Sequence, residues 1–515
     1  MLFNSYSFLL IFLPVTLVGF FFFNRNSQFW GAAWLAAASI FFYGWWDYRY
    51  LPLLLGSIIF NYWSALNLRT GPVQIRRRIL IAAICANLAL LIYYKYAGFF
   101  ATSLANLLSL HRVIFHIILP VGISFFTFTQ IAFLVDTYQG KVKESRFINY
   151  LLFVTYFPHL IAGPVLHHKD MMPQFSDPKL FRLSAQSVAI GVTLFFIGLA
   201  KKVLIADNIS PFASGVFDGG TAPTMLVAWS GVLAYAFQLY FDFSGYSDMA
   251  IGLSRFFGVR LPLNFDSPYK SEDIAEFWRR WHMTLSQFLR DYLYIPLGGN
   301  RHGNVRRSLN LMITMVLGGL WHGAGWNFVI WGFLHGVFLS IHQLWARLAQ
   351  FLHFPVHSGM WRLAGTIITF LAVCVAWVFF RASDFQTAWI ILQGMFGANG
   401  IALPDSIFRH LAPMQRYFEI LGVTSYLGGG SVFVESWSWI FVVAIIIFAF
   451  PNTQQILNRF DPALDFRRNP EVGGDAMARM FTWYPTRSWA VVTAALALAS
   501  LLSLNRPAEF LYFQF

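Results

Sequence analysis

The run Leu317-Gly318-Gly319-Leu320-Trp321-His322-Gly323-Ala324-Gly325-Trp326 sets one imidazole in a Gly-rich, tryptophan-flanked break between apolar stretches. Imidazole has an unperturbed pKa near neutrality, so a histidine here can serve as a general base. Glycines let backbones and ligands approach closely, and irregular backbone at membrane depth is tolerated where it lines a cavity. His322 is therefore the first catalytic candidate. The competing reading is a polar kink satisfied by a neighbouring helix.

A second histidine lies in Glu276–Tyr294. Apolar and aromatic residues at 277, 278, 281, 285, 288, 289 and 292 recur with helical spacing. Arg279, Arg280, Gln287 and Arg290 fall largely off that stripe. The pattern predicts one amphipathic helix in the membrane interface, anchored by arginine and tryptophan. His282 sits beside the stripe and reads equally as a chemical group or as a packed, hydrogen-bonded one. A third region, Tyr240-Phe241-Asp242-Phe243-Ser244-Gly245-Tyr246-Ser247-Asp248, puts two carboxylates inside an apolar run. Ionisable groups in hydrocarbon are costly, which makes each a functional suspect. Asp242 and Asp248 would carry protons, orient a histidine, or simply bond neighbouring helices. Trp321, Arg290 and Asp291, close in sequence to the histidines, are supporting or substrate-binding candidates.

The elements that position these residues follow from composition. The 515 residues are 57% hydrophobic and 11% charged, against roughly 25% charged in soluble chains. Too few polar residues remain to cover a water-exposed surface, so the chain reads as an all-α, multi-spanning membrane protein. Apolar runs at about 6–23, 30–46, 51–66, 79–94, 117–137, 187–205, 226–250, 326–345, 362–380, 436–450 and 487–504 are candidate spans, with weaker ones at 149–162, 309–321 and 385–397. By the length criterion this predicts about 11–13 crossings. The stretch 149–162 is interrupted by Pro158, Gly163 and Pro164 and reads as a re-entrant segment.

The net charge of +13 comes from short basic patches between apolar runs, a pattern of cytoplasmic loops rather than of nucleic-acid binding. No Lys or Arg precedes the first apolar run, so the N-terminus is expected outside the cytoplasm. The basic block at 255–307 should face the cytoplasm, residues 206–225 the exterior, and the C-terminus the exterior as well. Cys85 and Cys374 lie in apolar runs and read as small buried hydrophobes. No G-x-S-x-G elbow, Walker A loop or H-E-x-x-H is present. His111, His116 and the pair His167-His168 lack carboxylate-rich company, and Pro355 separates His353 from His357, so no metal site is expected. No internal repeat supports a transporter.

Taken together, FWRRWHMTLSQFLRDYLYIPLGGN at 277–300, LGGLWHG at 317–323, YFDFSGYSDMAIG at 240–252 and PHLIAGPVL at 158–166 resemble the membrane-bound O-acyltransferase (MBOAT) family. The whole chain looks like its alginate O-acetyltransferase branch. The resemblance implies a single membrane domain over 1–515, with a catalytic core at about 226–345 and helices, re-entrant and interfacial segments around a central funnel. It implies that His322 and His282 face that funnel and act on a thioester and a hydroxyl; which is the base stays open. It implies no permanently bound cofactor, acetyl-CoA as acyl donor, a bacterial inner-membrane location with periplasmic termini, a separate periplasmic SGNH-type acetyltransferase as partner, and an exopolysaccharide as final acceptor. Cellulose or another cell-surface glycan, or a lipid or protein acceptor, are the alternatives. The C-terminal tail, 505–515, ends Glu509-Phe510-Leu511-Tyr512-Phe513-Gln514-Phe515. It resembles an aromatic motif that places a tyrosine in the funnel of bacterial acyl-export relatives, making Tyr512 a candidate acyl relay. The other reading is an aromatic anchor at the interface.

Overall fold

The structure is a computed structural model that describes residues 1–109, 117–144, 146–160, 163–177, 184–354, 358–464, 479–504 and 510–511. The protein is helical almost throughout, as the long apolar runs require. Among the described residues, seven helices are long and apolar enough to cross a membrane: Tyr48–Arg69, Val73–Leu107, Ala185–Phe217, Met225–Phe256, Trp326–Phe351, Gly359–Arg381 and Gly430–Ala449. The chain is a multi-pass membrane protein. Several of the other apolar runs behind the expected 11–13 crossings form shorter helices. Gln28–Gly44 has 17 residues, Ile123–Tyr138 has 16 and Arg487–Leu502 has 16. At 1.5 Å per residue such helices reach only about 25 Å. Outward side chains such as Val18, Ile368 and Phe441 are largely exposed, as suits a lipid-facing surface.

Met225–Phe256 is the central element, a 32-residue helix buried along most of its length. It crosses Ala185–Ala200 through two glycine pairs seven residues apart. A Cβ on Gly198 would stand 2.5 Å from the Gly245 carbonyl oxygen, and one on Gly252 would stand 2.6 Å from that of Gly191. Only hydrogen side chains permit that approach. The only strands among the described residues, Ile401–Pro404 and Val423–Tyr426, pair in parallel within the segment following helix Phe385–Met395.

One local expectation changes. Residues 276–294 do not form one interfacial helix. Ile274–Arg280 and Met283–Leu289 are separate helices, followed by a π-turn at Arg290–Tyr294. The apolar stripe packs inward: Phe277, Trp281, Leu285 and Phe288 are all buried. The break falls at His282, whose φ of +43° is left-handed. Helical periodicity continues through that residue, so the pattern gave no sign of it. The stretch 149–162 is short as expected: helix Phe147–Thr155 stops two residues before Phe157-Pro158 and is mostly buried.

Candidate active site

His322 is the last residue of helix Gly303–His322, and Gly323, in extended conformation, ends it. The chain turns at once into helix Trp326–Phe351, and the two helices pack as a tight hairpin. A Cβ on Gly319 would stand 2.2 Å from the Phe328 carbonyl oxygen. The Gly-rich break predicted from sequence is thus the tip of a hairpin. The His322 ring is buried among Trp321, Trp331 and Phe380, with centroids 4.9, 5.2 and 5.2 Å away. Its Nδ1 has no hydrogen-bond partner among the described residues. Such a ring is held by packing while a nitrogen stays available.

His282 is fully buried, 6.5 Å from His322 between ring centroids. Its Nδ1 lies 3.0 Å from Asn264 Oδ1. That oxygen also accepts from the Thr284 hydroxyl at 2.9 Å and from the Thr284 N–H. Being an acceptor on all counts, Asn264 Oδ1 requires the proton on His282 Nδ1 and leaves Nε2 with a lone pair. Nε2 has no hydrogen-bond partner among the described residues. Asn264 was not singled out from sequence. A lone Asn in PLNF carries no periodic or motif signal, and only the fold brings it beside His282.

A small cavity of about 20 Å³, room for roughly one water, is lined by Asp242, Phe243, Trp281, His322, Trp377, Phe380 and Leu511 among others. His322 faces it directly. His282 does not line it and packs edge-on against Phe243, with centroids 4.8 Å apart.

Asp242 ties the cavity to the C-terminal segment. Its Oδ1 lies 2.5 Å from Lys202 Nζ, which also meets Asp207 at 2.8 Å. Its Oδ2 accepts the Leu511 N–H at 3.1 Å. Phe510 is buried against Tyr246, edge to face at 5.0 Å, with Lys202 Nζ 4.7 Å from its ring centroid. Residues 510 and 511 therefore reach the interior rather than the interface. Tyr512 lies outside the described residues. Asp248 serves helix packing: it takes Lys201 at 2.6 Å, the Thr453 hydroxyl at 2.7 Å and the Gln454 amide at 3.0 Å.

Trp321 is buried and stacks on Phe128 at 5.6 Å. Arg290 and Asp291 pair with each other at 2.8 Å, with the Arg290 side chain exposed, so the structure does not gather them at the cavity. A third buried histidine, His335, accepts from Trp278 Nε1 at 3.3 Å and was also unannounced by sequence. Among the described residues no group of three or more His, Cys, Asp or Glu is placed to hold a metal.

Comparison with known proteins places this helical membrane protein in a family. Residues 49–385 match the membrane-bound O-acyltransferase family, MBOAT. The chain is 46% identical over 432 residues to a Helicobacter pylori protein named peptidoglycan O-acetyltransferase, covering 78% of this chain and 81% of that one. It is 44% identical over 423 residues to a Pseudomonas aeruginosa protein named probable alginate O-acetylase AlgI, covering 81% and 78%. A Streptococcus thermophilus protein named teichoic acid D-alanyltransferase is 29% identical over 284 residues, covering 50% and 68%. The chain belongs to the membrane-bound O-acyltransferase family and is an O-acyltransferase.

Proposed function

We propose that the protein moves acetyl groups from cytoplasmic acetyl-CoA across the bacterial inner membrane for O-acetylation of an exopolysaccharide, alginate or a polymer like it. The observation that carries this reading is the His322 cavity, which borders Leu511 of the C-terminal segment and lies one ring from His282. Acyl transfer needs a base at the attacking oxygen and donors for the developing oxyanion. His322, open to the cavity, suits the base. His282, fixed by Asn264, suits orientation of the acceptor. The 46% identity to the Helicobacter pylori protein gives weight to peptidoglycan as a second acceptor.

In this reading Tyr512, next in sequence to Leu511, carries the acetyl group. Its phenolic oxygen attacks the thioester carbonyl while its proton passes to a histidine nitrogen. The C–S bond breaks, and the CoA thiolate leaves and is protonated. In the second step an acceptor hydroxyl attacks the acyl carbon of the aryl ester and gives up its proton to a base, the bond between that carbon and the tyrosine oxygen breaks, and the phenolate regains a proton. Phenol has a reference pKa near ~10, well below that of a sugar hydroxyl, so the ester stays activated. The final transfer falls to a periplasmic SGNH-type acetyltransferase, and both termini lie in the periplasm. Basic residues of 255–307 on the cytoplasmic side would meet the CoA phosphates.

The test is acetylation of cell-surface polymer in a strain carrying this chain alone as its MBOAT protein. His322→Ala and Tyr512→Phe should each abolish it while the protein still inserts. Normal acetylation with His322→Ala would reject the reading, and with Tyr512→Phe it would reject the relay. Efficient acetylation of polysaccharide by the reconstituted chain alone would reject the separate transferase.

A further inference from the structure

The last turn of a helix leaves its final carbonyls without intrahelical donors. In helix Gly303–His322 the Gly323 N–H turns back to Gly319. The next three carbonyls, Leu320, Trp321 and His322, are all met from one other helix. Tyr96 donates its hydroxyl to the Leu320 oxygen at 2.8 Å. Lys95 Nζ lies 2.6 Å from the Trp321 oxygen and 3.0 Å from the His322 oxygen. Among the described residues its remaining hydrogen bond is to Ser124 Oγ at 3.4 Å. Among the described residues no carboxylate lies within ion-pairing distance of Lys95.

The geometry of the span Val73–Leu107 makes this possible. Residues Ile92–Tyr96 form a π-turn inside it, a widened loop of the kind that recurs at functional sites. The turn sets the adjacent Lys95 and Tyr96 side chains on the same hairpin tip. An intramembrane lysine is costly, and placing it on the negative end of a helix dipole is a compensation that needs no acid. The segment it grips, Trp321-His322, is followed by Gly323-Ala324-Gly325, which has little side chain with which to hold itself.

We propose that Lys95 and Tyr96 are positioning residues for His322, clamping the three terminal carbonyls of its helix so that the imidazole keeps its place in the cavity. The proposal rests on His322 being the reactive histidine, and the test separates the two. Thioester turnover is measured with acetyl-CoA on the vesicle-reconstituted chain, beside hydrogen–deuterium exchange of amides 319–325. Lys95→Met should lower kcat by about 10²-fold, the scale expected when a reacting group is misplaced by an ångström. KM for acetyl-CoA should stay within about twofold, since the clamp grips backbone at the hairpin tip. Amides 319–325 should exchange at least about tenfold faster, as a fraying helix end opens more often. Lys95→Arg, which keeps the charge and can fork across two carbonyls, should recover most of the loss. Tyr96→Phe, which loses one hydrogen bond, should cost a smaller factor in kcat and carries the test if Lys95→Met fails to insert.

Unchanged exchange at 319–325 in Lys95→Met overturns the clamp, even if the chain shows no turnover with acetyl-CoA. So does a normal kcat, a loss confined to KM, or a Lys95→Arg variant no better than Lys95→Met. Full activity in His322→Ala overturns the catalytic reading instead, while faster exchange in Lys95→Met would leave the clamp standing.

Discussion

The two histidines of the cavity region are held by opposite means. His322 has ordinary helical backbone, fixed from outside through its own carbonyl, and a ring packed among Trp321, Trp331 and Phe380. His282 has a left-handed backbone, uncommon outside glycine although tolerated by histidine, and a ring fixed by a hydrogen bond to Asn264. One residue is locked at the backbone with its imidazole available. The other is locked at the imidazole, in a conformation that costs its backbone about 1–2 kcal/mol. The difference suits different tasks. A base must give and take protons as substrates come and go, whereas an orienting group must present one tautomer at one place.

Substitution can break this comparison. His322→Ala should lower transfer by ~10²–10⁴-fold, the usual contribution of a general base, with normal membrane insertion. His282→Asn retains a residue that accepts left-handed backbone. It should lose ~10²-fold, the scale of a single preorganised hydrogen-bonding group. If the two act as a unit, the double variant will be little worse than His322→Ala, and additive losses would refute that coupling. Asn264→Ala releases the His282 tautomer without removing the ring and should cost about tenfold, near the worth of one buried hydrogen bond. Gly252→Ala lies outside the cavity and collides with the Gly191 carbonyl. It should destabilise the fold by about 1–3 kcal/mol in thermal unfolding, with activity per folded molecule within about twofold. A large activity loss there would mean that the helix crossing bears on the cavity.

The contrast between the histidines also marks what the sequence could disclose. His322 announced itself because glycines and tryptophans around a lone histidine break an apolar run, a feature visible without coordinates. Helical class and most spans were legible for the same reason: hydropathy is summed over many residues and survives local irregularity. Span boundaries were less legible, because hydropathy registers apolar length and not where a helix begins; the run at 117–137 becomes helical only at Ile123. The break at His282 was hidden because its neighbours keep helical spacing on both sides. Asn264, Lys95 and Tyr96 were missed because their meaning lies in partners 18, 226 and 224 residues away. Asp248 was read as a proton carrier, a histidine-orienting group or a helix-bonding residue, and its contacts with Lys201, Thr453 and Gln454 are of the last kind.

The crossing of Ala185–Ala206 with Met225–Phe256 bears on how the chain enters the bilayer. One segment carries Lys201 and Lys202, the other Asp242 and Asp248, and the four pair across the crossing. Each charge at mid-helix costs about 2.5–3.5 kcal/mol on the scale set by cellular insertion. Inserted singly, the second helix would present Asp242 and Asp248 uncompensated to lipid, and the first Lys201, since Lys202 also meets Asp207 of its own span. Only seven residues, 218–224, separate helix Asp207–Phe217 from Met225–Phe256. The insertion machinery would therefore release the two helices laterally as one hairpin with Lys201 and Lys202 paired to Asp248 and Asp242, and biogenesis would have a co-translational step in which the acidic helix must emerge before the basic one can leave the translocon.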